Sequence, residues 1–385
     1  MCVITSWPHP AAPGGNALIE SRTPLNNMIT FRKYMDMKRR VSLGGAPATP
    51  ASVVKDANHS SFLPRAPLQK ERQLYHPEVP SVLRGLLDPH TFPIPSISAR
   101  QVPSLDPVSA SHDPQLEDKL RALFPTNFGQ SAMEFSMPDA GTPSLKSMSL
   151  RIGVVLSGGQ APGGHNVICG ISDVIQSSCN PDSQLLGFLD GPIGLMKGKY
   201  IELKPEYVNN FRNQGGFHMI GSGRDKIESP EQFAAARDVC EKLCLDGIVI
   251  IGGDDSNTNA AVLSEYLKSS GSSTRVIGCP KTIDGDLKTP MIETSFGFDT
   301  ACKVYSEQIS NLHSDALSSG KYYHFMRLMG RAASHITLEC ALQTHPNIAL
   351  IGEEVAAKGT TLAMITRNIC DVVSARAANN KHYGR

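Results

Sequence analysis

The sequence predicts an α/β protein built on a parallel sheet, and three observations carry that expectation. Short apolar runs recur from Ile152 onward, IGVVL at 152–156, IVII at 248–251 and VIG at 276–278, each too short for a helix and rich in β-branched residues. Between them lie stretches with helical apolar spacing, so strand, helix and strand alternate at a distance that calls for right-handed crossovers. The runs at 152–156 and 248–251 pass directly into glycine-rich turns, and the third into an acidic loop; an open parallel sheet presents such turns to ligands at its carboxyl edge.

Taken in order, the chain begins without such texture. Most of the 27 prolines precede residue 145, and no sustained period runs through residues 1–115, which read as a Pro-rich, largely disordered or extended segment. A short helix from Gln115 to Leu123 and a linker fill 116–150. The first 45 residues are mildly basic and poor in acids, which fits an organelle-transit segment or, given Met28, Met35 and Met37, an internal start. Arg39, Arg40 and Ser42 fit a kinase site or a solvated basic tail. From Arg151 the alternation starts: strand 152–156, glycine-rich turn SGGQAPGG at 157–164, helix 165–176. Strands follow near 185–189, 247–251, 275–279, 322–329 and 348–352, with helices near 231–244, 257–268, 298–318, 334–344 and 361–376. The last helix carries Ile365, Ile369, Val372 and Val373 on one stripe, a face that calls for a partner.

Composition narrows the function. A chain of 385 residues with 40% hydrophobic content can bury the core of one or two domains. A net charge of +1 gives no electrostatic basis for nucleic acid or an acidic membrane surface. No apolar run approaches the roughly 18 residues needed to span a bilayer. Nine cysteines, an odd number scattered from Cys2 to Cys370, fit reduced thiols in a cytosolic compartment. Cys240 and Cys244 are expected to share a helix face, as packing residues and not as metal ligands.

Two acidic loops carry the chemistry. GGDDS at 252–256 and PKTIDGD at 280–286 place Asp254, Asp255, Asp284, Asp286 and Lys281 at adjacent strand ends. Four carboxylates this close repel one another unless a cation or a reaction uses them. Metal-assisted phosphoryl transfer uses such a set: a carboxylate for the metal, a base for the attacking hydroxyl and a cation for the leaving group. The turn at 157–164 suits an anion, since glycine lets the backbone approach closely and a helix amino terminus follows. Its spacing is neither that of a dinucleotide fingerprint nor that of a P-loop. GSGRD at 221–225 adds Arg224, a bidentate phosphate donor.

Together with RNQGGF at 212–217, GSGRDKIE at 221–228, GGDDSNTNA at 252–260, PKTIDGDLK at 280–288, SFGFDTA at 295–301, GKYYHF at 320–325 and MGRAASHITLECALQTHPN at 329–347, the motif LSGGQAPGGHN at 156–166 resembles the plant-type pyrophosphate-dependent phosphofructokinases. The likeness runs from about residue 117 to the end and is to their catalytic beta-subunit type. It implies a phosphofructokinase-like fold of αβα layers, a cytoplasmic glycolytic enzyme, Mg²⁺ as cofactor, fructose 6-phosphate and diphosphate as ligands, and assembly with itself and with related alpha subunits. It implies that Gly158, Gly159 and Arg224 meet the diphosphate and that Asp254 holds Mg²⁺. Thr282, Ile283, Asp284, Met329, Gly330 and Arg331 would line the sugar-phosphate site, with Lys321 or Tyr322 reaching a site shared with a neighbouring subunit. Asp284 would be the base, Lys281 and Asp255 would set donor chemistry, and Asp286 would assist through the metal or by orienting Asp284. The resemblance also implies more chain after Arg385, a further strand and the rest of the sugar-phosphate lobe, so that the second lobe is expected to be largely missing. ATP-dependent phosphofructokinase, a dehydrogenase, and a non-catalytic or truncated subunit are the competing readings; Asp255 with Lys281 argues against the first, and the turn spacing against the second.

Overall fold

The computed structural model describes residues 2–5, 74, 96–100, 114–128, 132–136, 149–287, 295–330 and 333–384, all within one compact unit, Met1–Pro8 with Pro64–Arg385. Most of the Pro-rich segment, including Arg39, Arg40, Ser42 and the early methionines, lies outside the described residues. Within it, β1 (Cys2–Thr5) and β2 (Ser96–Arg100) are strands that the proline-rich texture did not reveal. β2 pairs antiparallel with β3 (Ala132–Ser136), and α1 (Pro114–Leu123) lies between them in sequence.

The main sheet is six-stranded. In chain order its members are β4 (Arg151–Leu156), β5 (Gln184–Phe188), β6 (Tyr200–Glu202), β7 (Gly247–Gly252), β8 (Arg275–Thr282) and β9 (Phe296–Gly297), arranged in space as β6-β5-β4-β7-β8-β9. All neighbours pair parallel except β5 and β6. That exception departs from the uniform alternation read in the sequence. Only α3 (Pro192–Lys197) and a few flanking residues join β5 to β6, and Gly198, left-handed at φ 62°, turns the chain back; a span this short returns antiparallel more readily than it crosses over the sheet.

Strand periodicity divides the core into two layers. Val155, Leu186, Phe188, Ile248 and Ile250 point to one face, where they meet Leu195 of α3, Phe233 and Ala236 of α5 (Pro230–Lys242) and Leu263 and Leu267 of α6 (Asp254–Ser269). Val154, Leu156, Leu185 and Ile251 point to the other, against Ile168 of α2 (Gly164–Ser178), Val208 of α4 (Pro205–Val208) and Phe217. Both faces are covered, which explains why β4 and β7 read as continuous apolar runs. α5 starts at a capping box: the Ser229 hydroxyl accepts from Gln232 N–H at 3.3 Å while Ser229 N–H donates to Gln232 Oε1 at 3.0 Å. Cys240 is buried in this core, but α5 stops at Lys242, and Cys244 sits exposed at φ 49° just beyond it, so the two do not share a helix face.

A second sheet is built differently. β10 (His324–Arg327) and β11 (Ile348–Leu350) flank β1, parallel on both sides, with Cys2 opposite His324 and Val3 opposite Ile348. β11 thus pairs along one edge with the amino-terminal strand. α7 (Phe298–Ser319) packs on α8 (His335–Thr344) through Cys302, Ile309, Ile336 and Cys340. After α9 (Gly352–Ala357), α10 (Leu362–Ala378) opens on Thr361, whose hydroxyl accepts from Met364 N–H at 3.3 Å. Its stripe of Ile369, Val372 and Val373 rests on Tyr323, Ile348 and Leu350. The partner that the stripe calls for is, at least in part, its own sheet.

Candidate active site

Chain order reverses around β4, since β5 lies on one side of it and β7 on the other. The crevice outside such a switch point is where open α/β sheets take ligands. Three exits meet there: Ser157–Gly159 after β4, Gly253–Asp255 after β7, and Lys281–Asp286 at the end of β8. Gly158 is left-handed at φ 85°, and its N–H donates to Gly223 O at 2.8 Å. Ser222 Oγ donates to Gly158 O at 2.8 Å, so the stretch that carries Arg224 lies along the glycine turn. A Cβ on Gly159 would stand 3.2 Å from Arg224 Nη2. The approach is held from behind by Gly191, at φ 86°, where a Cβ would fall 2.3 Å from Gly223 N; only glycine lets these backbones touch.

Lys281 crosses from β8 to the same turn. It is 5% exposed, its ammonium donates to Gly159 O, and it lies 5.6 Å from the Phe217 ring centroid. Burial, and then the Arg224 guanidinium, hold it below the usual lysine range. Lys281 and Thr282 thus belong to the last residues of a strand and not to a loop. Asp254 and Asp255 likewise form the first turn of α6, where the helix dipole favours negative charge. Ser256, next on that turn, pairs its hydroxyl with Ser157 at 2.8 Å. Asp255 is well exposed and lies 3.7 Å from Lys226 Nζ.

The remaining residues spread more widely. Asp284 is half-buried and its N–H donates to Thr282 Oγ1 at 3.0 Å, which folds the turn onto the end of β8; Asp286 is exposed. Ile283 packs with Leu328 against the α7–α8 cluster, so the exits of β8 and β10 reach one apolar seam. Met329 and Gly330 follow β10, with Met329 61% exposed. Lys321 and Tyr322 precede β10, which sets them at the opposite end of that strand from Met329 and Gly330. One pocket of this chain therefore does not collect all these residues. Arg331 lies outside the described residues.

Residues 151–383 match the family model described as Phosphofructokinase. The chain belongs to the phosphofructokinase family. It is 57% identical over 297 residues to the pyrophosphate–fructose 6-phosphate 1-phosphotransferase subunit beta of Solanum tuberosum, covering 77% of this chain and 51% of that one. It is 50% identical over 323 residues to the pyrophosphate–fructose 6-phosphate 1-phosphotransferase of Treponema pallidum, covering 82% and 54%. To the subunit alpha of Solanum tuberosum it is 43% identical over 333 residues, covering 86% and 52%. This phosphofructokinase-family chain thus spans about half the length of these relatives.

The candidate site also contains groups that the motifs did not single out. His165, on the first turn of α2, is 5% exposed and its Nε2 accepts from Gly215 N–H at 3.2 Å. Burial, and then the neighbouring His218, lower its pKa and favour the neutral ring. It borders a cavity of about 520 Å³ with Gln160, Pro162, Gln214, Phe217 and Tyr305, behind the glycine turn. Lys226 and Asn259 were also passed over, although both stand inside quoted motifs; an asparagine in mid-helix reads as a surface residue until its partner is seen. Among the described residues no group of three His, Cys, Asp or Glu side chains is arranged to hold a metal by itself.

Proposed function

We propose that this chain supplies the donor site of a diphosphate-dependent phosphofructokinase, which transfers a phosphoryl group reversibly between diphosphate and the 1-hydroxyl of fructose 6-phosphate. The observation that carries the reading is the convergence of Lys281, Arg224 and the Gly158–Gly159 turn opposite the two aspartates that open α6. The similarity to relatives named for this reaction supports it.

In this reading Asp284 accepts the proton of the sugar hydroxyl, and Lys281 and Arg224 take up charge on the departing phosphate. Thr282, Ile283, Met329, Gly330 and Arg331 position the sugar phosphate. Lys321 and Tyr322, at the other end of β10, face a neighbouring subunit's site. Asp286 assists Asp284. Asp255 occupies the room that the α-phosphate of a nucleotide would need, and disfavours ATP by charge. Asp254 suits Mg²⁺: it is an exposed hard oxygen ligand on the first turn of α6, and Mg²⁺ is commonly bound by one or two carboxylates, with substrate phosphates and water completing its shell. Bound there, the metal would neutralise phosphate charge. The partners would be a second copy and related alpha subunits, and the compartment the cytosol.

The test is an assay of the purified full chain, alone and with an alpha-type subunit, supplied with Mg²⁺, fructose 6-phosphate and either diphosphate or ATP. Turnover with diphosphate and not with ATP is expected. Robust turnover with ATP would overturn the reading.

A further inference from the structure

Asp255 poses an electrostatic problem for the donor site just proposed, because an exposed carboxylate at its rim repels the polyanion that the site is built to take. Lys226 Nζ stands 3.7 Å from Asp255 Oδ1, closer than the 4.0 Å to Glu228 Oε1. The position of Lys226 is not left to its own flexible side chain. Next to it, Ile227 is buried at 2% exposure, and both of its main-chain groups are taken by one side chain: its N–H donates to Asn259 Oδ1 at 3.1 Å, and its carbonyl accepts from Asn259 Nδ2 at 2.6 Å. Asn259 sits on α6 one turn after Asp255. A single helix thus bears the carboxylate and the clamp that brings a cation to it. The same clamped stretch presents Arg224 to the Gly159 turn.

We propose that Lys226, positioned by Asn259, is a donor-specificity residue: it offsets the charge of Asp255 toward diphosphate, so that the carboxylate can stay at the rim without driving the small donor away. Lys226 acts through Asp255 and is a positioning residue, not a catalytic one. The proposal rests on the diphosphate reading above. It adds that the acidic residue requires a basic companion, and that the two work as a unit.

Calorimetric titration of the full chain with magnesium diphosphate tests this, using Lys226→Met, Lys226→Arg, Asp255→Asn and the Lys226→Met/Asp255→Asn double variant. Lys226→Met is expected to weaken binding roughly three- to tenfold and Lys226→Arg to leave it near the original value. In the Asp255→Asn background the penalty of Lys226→Met should largely vanish. An equal penalty in both backgrounds, or none in either, overturns the proposal while leaving the diphosphate reading intact. Absence of diphosphate binding by the unmodified chain overturns that reading, and the role of Lys226 with it. Lys226 is half-exposed, so unchanged thermal unfolding of each variant is expected and separates these outcomes from misfolding.

Discussion

Lys281 and Gly159, 122 residues apart, are joined by a hydrogen bond from the buried ammonium to the main-chain carbonyl. With no carboxylate as its partner in that bond, the ammonium is held below the usual lysine range, by burial first and by Arg224 second. A bound polyanion would restore its affinity for the proton. Diphosphate binding is therefore expected to take up protons on the alkaline side, where Lys281 is partly deprotonated, and not at lower pH, where it is already charged. Titration in buffers of differing ionisation enthalpy measures this, and an uptake that does not grow as pH rises toward the ordinary lysine value contradicts it.

Asp284→Asn keeps the size of the side chain but removes its capacity to accept a proton. Turnover should fall by about two to four orders of magnitude with the KM for fructose 6-phosphate little changed. A folded variant with near-normal turnover would show that the base is elsewhere.

His165 ties stability to pH. Its folded-state pKa is depressed by burial and by His218, so in the window below the ordinary histidine value the unfolded chain binds more protons than the folded one. The stabilisation from the neutral ring is complete above about pH 6.5 and is lost as pH falls through that value toward the depressed one. Denaturant midpoints should drop between pH 7.5 and 5.5. His165→Leu is expected to flatten that drop while lowering stability at pH 7.5, because Gly215 N–H then loses its acceptor.

Leu338 and Leu342, one turn apart on α8, are 49% and 62% exposed, and Leu317 near the end of α7 is 57% exposed. Exposed apolar surface of this kind favours association. Sedimentation should show mass rising with concentration, and Leu338→Lys with Leu342→Glu should reduce it. A monomer at all concentrations would mean that these side chains are simply solvated.

The sheet and most of its helices were legible because the buried strands announce themselves: Val154, Val155 and Leu156 face two helical layers and leave no polar position to blur the run. Element edges were less so. Asp254 and Asp255 read as loop residues because aspartate is a turn former, yet at a helix start the dipole makes them good helical residues. The site was legible as a set of reactive side chains, since GGDD and PKTIDGD each stay local in sequence. The Asn259–Ile227 clamp was not, because neither residue type marks a long-range polar pairing. The antiparallel β6 was hidden by its three-residue length.

β1 raises a question of assembly. It pairs Cys2 with His324, so 322 positions separate the residues that its register brings together, and closing a loop of that length costs about 5 kcal/mol in the logarithmic term alone. β10 and β11 each meet β1 and not one another. A ribosome delivers the middle strand long before either flank, and the nascent segment has to wait, unsatisfied along both edges, for the two strands that will hold it. Closure of this small sheet therefore waits for the end of synthesis, and until then the strand is a candidate for capture by chaperones that bind short extended peptides.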